Sequence, residues 1–166
     1  MMDRTLMERT LMERTIIKRT LKKFSLLIVL LVMMNAVTAA SKELTVSNAW
    51  IRLMPAIAKN TAAYFTITNP SSKDVQLTEI TTSASEKSTL HEMVMEDGMM
   101  HMRKMTKVTI PAGESVSFTP GGMHLMLVGL KEKLETDKAL NFQFIFADGK
   151  VINVSMKSFK FDPFKS

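Results

Sequence analysis

Short runs of alternating or β-branched residues, each closed by turn residues, constrain the fold of this 166-residue chain most strongly. Ten such runs occupy residues 44–53, 61–69, 75–82, 88–95, 99–105, 107–110, 115–120, 124–130, 140–147 and 150–159. The turn signals between them include Asn69-Pro70, Asp97-Gly98, Pro120-Gly121-Gly122 and Asp148-Gly149. No long stretch has a clean helical period. The pattern predicts an all-β Greek-key sandwich or barrel in a single domain.

The first 39 residues differ from this pattern. Arg4, Arg9, Arg14 and Arg19 recur every five residues, and a short apolar run, "FSLLIVLLVMM", and the small residues "NAVTAAS" follow. This order is typical of a cleaved secretory signal peptide, and the apolar run is shorter than the roughly 20 residues that span a membrane. We therefore expect a signal peptide at residues 1–39 and one exported β-sandwich domain at residues 40–166, without stable membrane insertion. The alternative is a short N-terminal membrane anchor.

Charge and cysteine content exclude several classes of function. Seven of the 22 basic and three of the 16 acidic residues precede residue 40, so the remaining domain has a net charge of only +2. No basic patch with interleaved aromatic residues is present, which argues against nucleic acid as a partner. The sequence contains no Cys, so neither a disulfide, a thiol nucleophile, a lipid-attachment Cys nor a blue-copper His₂Cys centre is available.

Soft metal-ligating side chains are concentrated in one part of the domain. Eight of the ten Met residues after position 39 lie between Met93 and Met126, and all three His residues lie between His91 and His124. Asp97-Gly98 within "HEMVMEDGMMHMRKM" predicts a two-residue hairpin turn. Because side chains alternate along a strand, one face then carries His91, Met93, Met95, Met100 and Met102. A register slip of one residue would replace Met102 by His101 on that face.

A second cluster, "PGGMHLML", follows a tight turn. His124 and Met126 are two residues apart, so both side chains point to one face of the predicted strand. Two imidazoles and two thioethers suit Cu(I), whereas calcium and magnesium prefer oxygen ligands and structural zinc sites favour Cys and His. The alternative for the Met residues is core packing, where Met commonly fills gaps.

At these residues the sequence resembles the periplasmic copper chaperones of the PCu(A)C family. That family carries His, ten residues, Met, 21 residues and then His-x-Met, and His91, Met102, His124 and Met126 match every spacing. The resemblance extends over about residues 44–156. It implies a cupredoxin-like Greek-key β-sandwich, Cu(I) bound by those four residues at an exposed site, and copper delivery towards the CuA centre of cytochrome c oxidase.

We therefore expect a monomeric periplasmic Cu(I) chaperone that is not an enzyme, with copper-accepting proteins of oxidase assembly as partners. No nucleophile elbow or phosphate-binding loop is present in the sequence. One alternative is a copper resistance or storage protein that uses the same site. Another is a metal-free β-sandwich interaction module with a Met-rich core, which would bury its Met residues.

Processing provides the first testable prediction. The short apolar run followed by small residues predicts a mature N-terminus at or next to Ala40. Intact-mass measurement of protein recovered from the periplasm checks this. Recovery of the unprocessed chain in the membrane fraction would contradict it.

Overall fold

The computed structural model of the chain describes residues 43–136 and 138–165. They form ten strands: β1 (Thr45–Arg52), β2 (Asn60–Thr68), β3 (Val75–Thr82), β4 (Ser85–Glu96), β5 (Met99–Met105), β6 (Val108–Ile110), β7 (Ser115–Phe118), β8 (His124–Leu130), β9 (Leu140–Phe146) and β10 (Val151–Phe159). No helix occurs within this described part of the chain, and hence none that is long and apolar enough to cross a membrane. The signal peptide predicted at residues 1–39 lies outside the described residues.

The strands are hydrogen-bonded in one continuous order that forms the two layers of a sandwich. Strands β5, β4, β8, β2 and β1 make up the first layer, which we call the site sheet, and β7 pairs with the second half of β2 beyond the end of β8. Strands β10, β9, β3 and β6 make up the second layer. Strands β1 and β10 run parallel over Trp50–Arg52 and Lys157–Phe159 and join the two layers.

Along each strand every second side chain points inward, and these inward side chains fill the space between the layers. Leu140, Phe142, Phe144 and Phe146 of β9 are buried, whereas Asn141 and Gln143 between them are exposed. Phe65 of β2 meets the edge of the Phe144 ring across the sandwich, with 4.8 Å between ring centroids. Each aromatic side chain buried in this way contributes about 1.5–3 kcal/mol. Because the chain has no Cys, apolar packing of this kind rather than disulfides stabilises the domain.

The all-β architecture predicted from the sequence is confirmed, and each of the ten predicted runs contains a strand. The largest difference at a boundary is in β4, which begins at Ser85 instead of residue 88. Ser85 and Lys87 pair with Leu130 and Val128 of β8. Backbone hydrogen bonding to β8 therefore includes a polar segment at the start of β4. The side chains of this segment do not alternate between apolar and polar, so the sequence does not indicate a strand there.

The turn between β4 and β5 fixes the register of the region rich in His and Met. Asp97 and Gly98 both have positive φ, at 51° and 76°, as a type I′ turn requires. Glu96 pairs with Met99, Met95 with Met100 and Met93 with Met102. The predicted hairpin and its register are therefore confirmed.

The turn leads to a prediction about stability. A Cβ at Gly98 would have nothing within 4 Å, so Gly98→Ala introduces backbone strain at φ +76° without a steric clash. A left-handed conformation costs a residue with a Cβ roughly 1–2 kcal/mol. We expect Gly98→Ala to lower the free energy of unfolding of the apo protein by about that amount, measured by chemical denaturation.

Gly122→Ala is the matched control, because Gly122 is not among the glycines with positive φ and its Cβ would approach Thr119 only to 3.4 Å. At a compatible site this substitution is neutral or stabilises by about 0.4–1 kcal/mol. Equal effects of the two substitutions would mean that the turn does not require left-handed backbone.

Candidate metal centre

Two imidazoles form the centre of the candidate site. His91 of β4 and His124 of β8 are direct partners across the antiparallel pair, which brings their Cβ atoms to about 4.5–5.5 Å. Their ring centroids are 5.8 Å apart and the ring planes are inclined at 55°. Metal–imidazole bonds are about 2 Å long in zinc sites. One metal ion between these rings is therefore within reach of a nitrogen from each.

A tight turn orients the ring of His124. The amide of Gly122 donates to the carbonyl of Thr119 at 3.0 Å, and Gly121 between them has φ +85°, as in a type II turn with Pro120 at its second position. The Nδ1 atom of His124 lies 3.1 Å from the carbonyl oxygen of Gly122. A carbonyl only accepts, so Nδ1 carries the proton, and in the neutral ring Nε2 keeps its lone pair for a metal.

The ring of His91 has an unsatisfied polar atom. Its Nδ1 is buried and has no hydrogen-bond partner within the described part of the chain. Leaving such an atom unpaired costs about 1–3 kcal/mol, and a metal ion is one partner that would satisfy it. Burial lowers the pKa of His91 below its usual value, and charges on His124 and Lys104 lower it further. Lys104 is the direct partner of His91 on β5.

The two predicted thioether ligands lie on opposite sides of His91. Met126 pairs with Thr89 and Met102 pairs with Met93, so each is a diagonal neighbour of His91 on the same face, at roughly 7–8 Å. They are two strands and four residues apart from each other, which is about 17 Å between Cα atoms on a flat sheet. His91, His124 and Met126 are therefore adjacent, and the backbone holds Met102 farthest from the others.

The predicted division of the hairpin into two faces is confirmed. His91, Met93, Met95, Met100 and Met102 lie on the outer face of the site sheet, opposite the buried Leu90 and Leu125. His101 pairs with Val94 and points to the other face. Many of the Met side chains are not core: the exposed fraction is 65% for Met95, 49% for Met100 and 52% for Met102.

The sequence did not indicate the groups beside the candidate ligands. Extending the β2–β8 register by one residue places Tyr64 next to His124. Tyr64 packs against Trp50 with 4.8 Å between ring centroids, and burial raises the pKa of Tyr64. Both rings are buried on the outer face, apart from the main core. Arg103 remains mostly exposed and forms a 2.8 Å ion pair with Glu92 across the hairpin.

This arrangement suits a soft, low-charge metal ion. Thioethers and imidazoles are neutral donors that favour Cu(I). No cluster of three His, Cys, Asp or Glu side chains occurs among residues 43–136 and 138–165, whereas calcium sites use about six to eight oxygen ligands and zinc sites at least three protein ligands. The buried nitrogen of His91 and the fixed tautomer of His124 both fit such an ion.

Comparison with protein families gives one match over most of the domain. The family model described as "Putative lipoprotein LpqE-like" matches residues 44–157. The "Putative lipoprotein Lxx21020" of Leifsonia xyli subsp. xyli is 34% identical over 112 residues, which cover 67% of this chain and 66% of that protein. The uncharacterised protein RP573 of Rickettsia prowazekii is 30% identical over 100 residues, which cover 58% and 55%. The chain thus spans between about half and two thirds of the length of these relatives.

Solved structures share the fold. The Cu(I) form of DR1885 from Deinococcus radiodurans is 30% identical, with a TM-score of 0.61 over 75% of this chain and 85% of that one. The copper-bound PCuAC domain of PmoF2 is 14% identical, with a TM-score of 0.59 over 69% and 91%, and this second likeness concerns the fold alone.

The cupredoxin-like sandwich and the PCu(A)C resemblance predicted from the sequence are therefore confirmed, while the four ligands remain a prediction. Since the family model covers residues 44–157, the chain belongs to the LpqE-like family and has the fold of the PCuAC copper-binding domains.

Proposed function

We propose that this protein binds one Cu(I) ion on the outer face of the site sheet and acts as a copper chaperone. The ligands in this proposal are His91, His124, Met126 and Met102. The observation that carries it is the direct cross-strand pairing of His91 with His124. Among the residues that the structure describes, Nδ1 of His91 is buried without a hydrogen-bond partner, and the hydrogen bond at Nδ1 of His124 leaves Nε2 free.

The chemistry of the four side chains supports Cu(I) over other ions. All four are neutral donors when the imidazoles are deprotonated, so a monovalent ion is bound without burying excess charge. DR1885, which is 30% identical to this chain, has a solved structure of its Cu(I) form. Binding the ion as cargo requires no catalytic step.

Position in the fold supports transfer to another protein. Strand β5 is at the edge of the site sheet, and every one of its residues except Met105 is exposed. A partner can therefore approach the Met102 side of the site without opening the sandwich. We propose that the protein acts as a monomer in the periplasm, after removal of residues 1–39, and delivers copper towards the CuA centre of cytochrome c oxidase.

Exposure of the Met side chains argues against a metal-free module with a Met-rich core. Thioethers used only for packing would be buried, whereas four of those on the hairpin are exposed by 49–65%. A storage protein would use the same ligands. Incubation of the Cu(I)-loaded protein with an apo CuA domain, followed by separation of the two proteins and measurement of the copper content of each, distinguishes delivery from storage.

A pair of hairpin variants tests the ligand set. Met102→Leu nearly conserves volume, so it should cost less than about 1.5 kcal/mol in stability. Loss of a partner outside the first coordination shell already costs about 10- to 100-fold in metal affinity, so loss of a ligand should weaken Cu(I) binding at least that much. Competition against a Cu(I) chelator measures the change.

His101→Ala is the matched control, because His101 adjoins Met102 in the chain but points to the other face. We expect Cu(I) affinity to change by less than about 0.5 kcal/mol, or roughly twofold. Thermal melts of the apo variants control for folding. Loss of binding in His101→Ala with retention in Met102→Leu would refute the assignment of Met102.

The pH dependence of binding provides a separate prediction. Copper requires neutral imidazoles, and burial lowers the pKa of His91 below 6.5. A lowered pKa means that protons compete with copper at His91 only at lower pH than for an ordinary His. Cu(I) affinity should therefore be constant above about pH 6.5 and fall towards pH 5. Chelator competition across this range is the measurement, and constant affinity from about pH 7.5 to 5 would count against His ligands.

A further inference from the structure

We propose that the tip of the β4–β5 hairpin carries a second soft-metal site, built from the thioethers of Met93, Met95 and Met100. This tip site adjoins Met102 and takes Cu(I) or another soft monovalent ion such as Ag(I). It goes beyond the function proposed above, because it does not require a metal ion at His91 and His124.

Strand register brings these thioethers together. Met95 and Met100 are direct partners, and Met93 and Met102 are the next pair on the same face. Direct partners have Cβ atoms about 4.5–5.5 Å apart, and side chains two residues apart on a strand are about 7 Å apart. Four flexible thioethers thus stand at the corners of a small quadrilateral. At these spacings, rotation of the side chains alone can bring three of the sulfur atoms to one ion.

The tip site is separate from the imidazole pair. Met95 is four residues along β4 from His91 and one strand away from β8, which places it about 14 Å from His124 on a flat sheet. No imidazole shares the tip with the thioethers on this face, because His101 pairs with Val94 and points to the other face. The tip therefore offers thioethers without nitrogen ligands, and these donors bind soft ions and carry no proton to lose.

Exposure argues that the cluster is not core packing. Met95 is 65% exposed and Met100 is 49% exposed, so neither contributes much buried area. Met93 is half-buried and faces the other thioethers. Exposed Met residues also occur on surfaces that bind protein partners. A surface that binds a protein partner, however, needs only exposed apolar area. It does not require Met residues at paired positions on one face of the hairpin.

The test follows each thioether during titration with Ag(I), which is soft, monovalent and stable in air. The full chain is expressed with [methyl-13C]Met, and the purified protein is titrated with Ag(I) while the methyl resonances are recorded. We expect the resonances of Met102 and Met126 to move with the first equivalent. Those of Met93, Met95 and Met100 should move with the second, and a stoichiometry of two should follow.

Three variants make the outcome decisive. The double variant Met95→Leu/Met100→Leu should bind one equivalent and keep the first-phase shifts. Met99→Leu is the matched control: Met99 is 61% exposed at the same turn but points to the opposite face, so this variant should still bind two equivalents. The double variant His91→Ala/His124→Ala should lose binding of the equivalent that shifts Met102 and Met126. It should keep the Ag(I)-induced shifts at Met95 and Met100.

Failure of this proposal and failure of the proposed function give different results. If the Met102 and Met126 resonances move with the first equivalent but those of Met95 and Met100 stay fixed when further Ag(I) is added, the tip site does not exist and the imidazole site stands. If the two Met→Leu changes leave the second equivalent in place, the second ion binds elsewhere and the proposal is wrong. If removing both imidazoles changes nothing in the titration, the tip site stands and the proposed function fails.

Discussion

The register between β4 and its two neighbours is the constraint on which the candidate site depends. The pair His91 and His124 is followed by the pair Leu90 and Leu125, which points to the opposite face and is buried in the core. Shifting β4 by one residue would exchange imidazole for leucine on both faces. Burying two leucines contributes about 1.5–3 kcal/mol each, so the packing that holds the sandwich together also places the imidazoles outside. Apolar packing thus determines which face of the site sheet carries the candidate ligands.

Two turns position the parts of the site that have little buried side-chain area. The left-handed residues Asp97 and Gly98 align β5 with β4, although β5 has little buried area of its own. The turn from Thr119 to Gly122 ends in the carbonyl that orients His124. Backbone conformations specified by Gly, Asp and Pro therefore determine which face each ligand candidate occupies and which ring nitrogen is free.

Local patterns made the strands, the hairpin and the shared face of His91 and Met102 predictable. Alternation has period two in any strand, and a type I′ turn sets its own register. Pairing of β4 with β8 was not predictable in this way, because more than thirty residues separate His91 from His124 and periodicity carries no information on which strands meet. For the same reason, nothing in the sequence indicated that Tyr64 adjoins His124. The pairing of Lys104 with His91, in contrast, follows from the hairpin register. The distance between Met102 and Met126 also depends on this pairing.

X-ray absorption at the copper edge tests the central claim most directly, because it identifies the atoms bound to the ion without altering any side chain. The protein is loaded with less than one equivalent of Cu(I), so that the tightest site dominates the spectrum. Binding by His91, His124 and thioethers predicts a first shell that contains both imidazole nitrogen and sulfur, with the outer-ring scattering of imidazole. A shell of nitrogen and oxygen alone, or of sulfur alone, would contradict it.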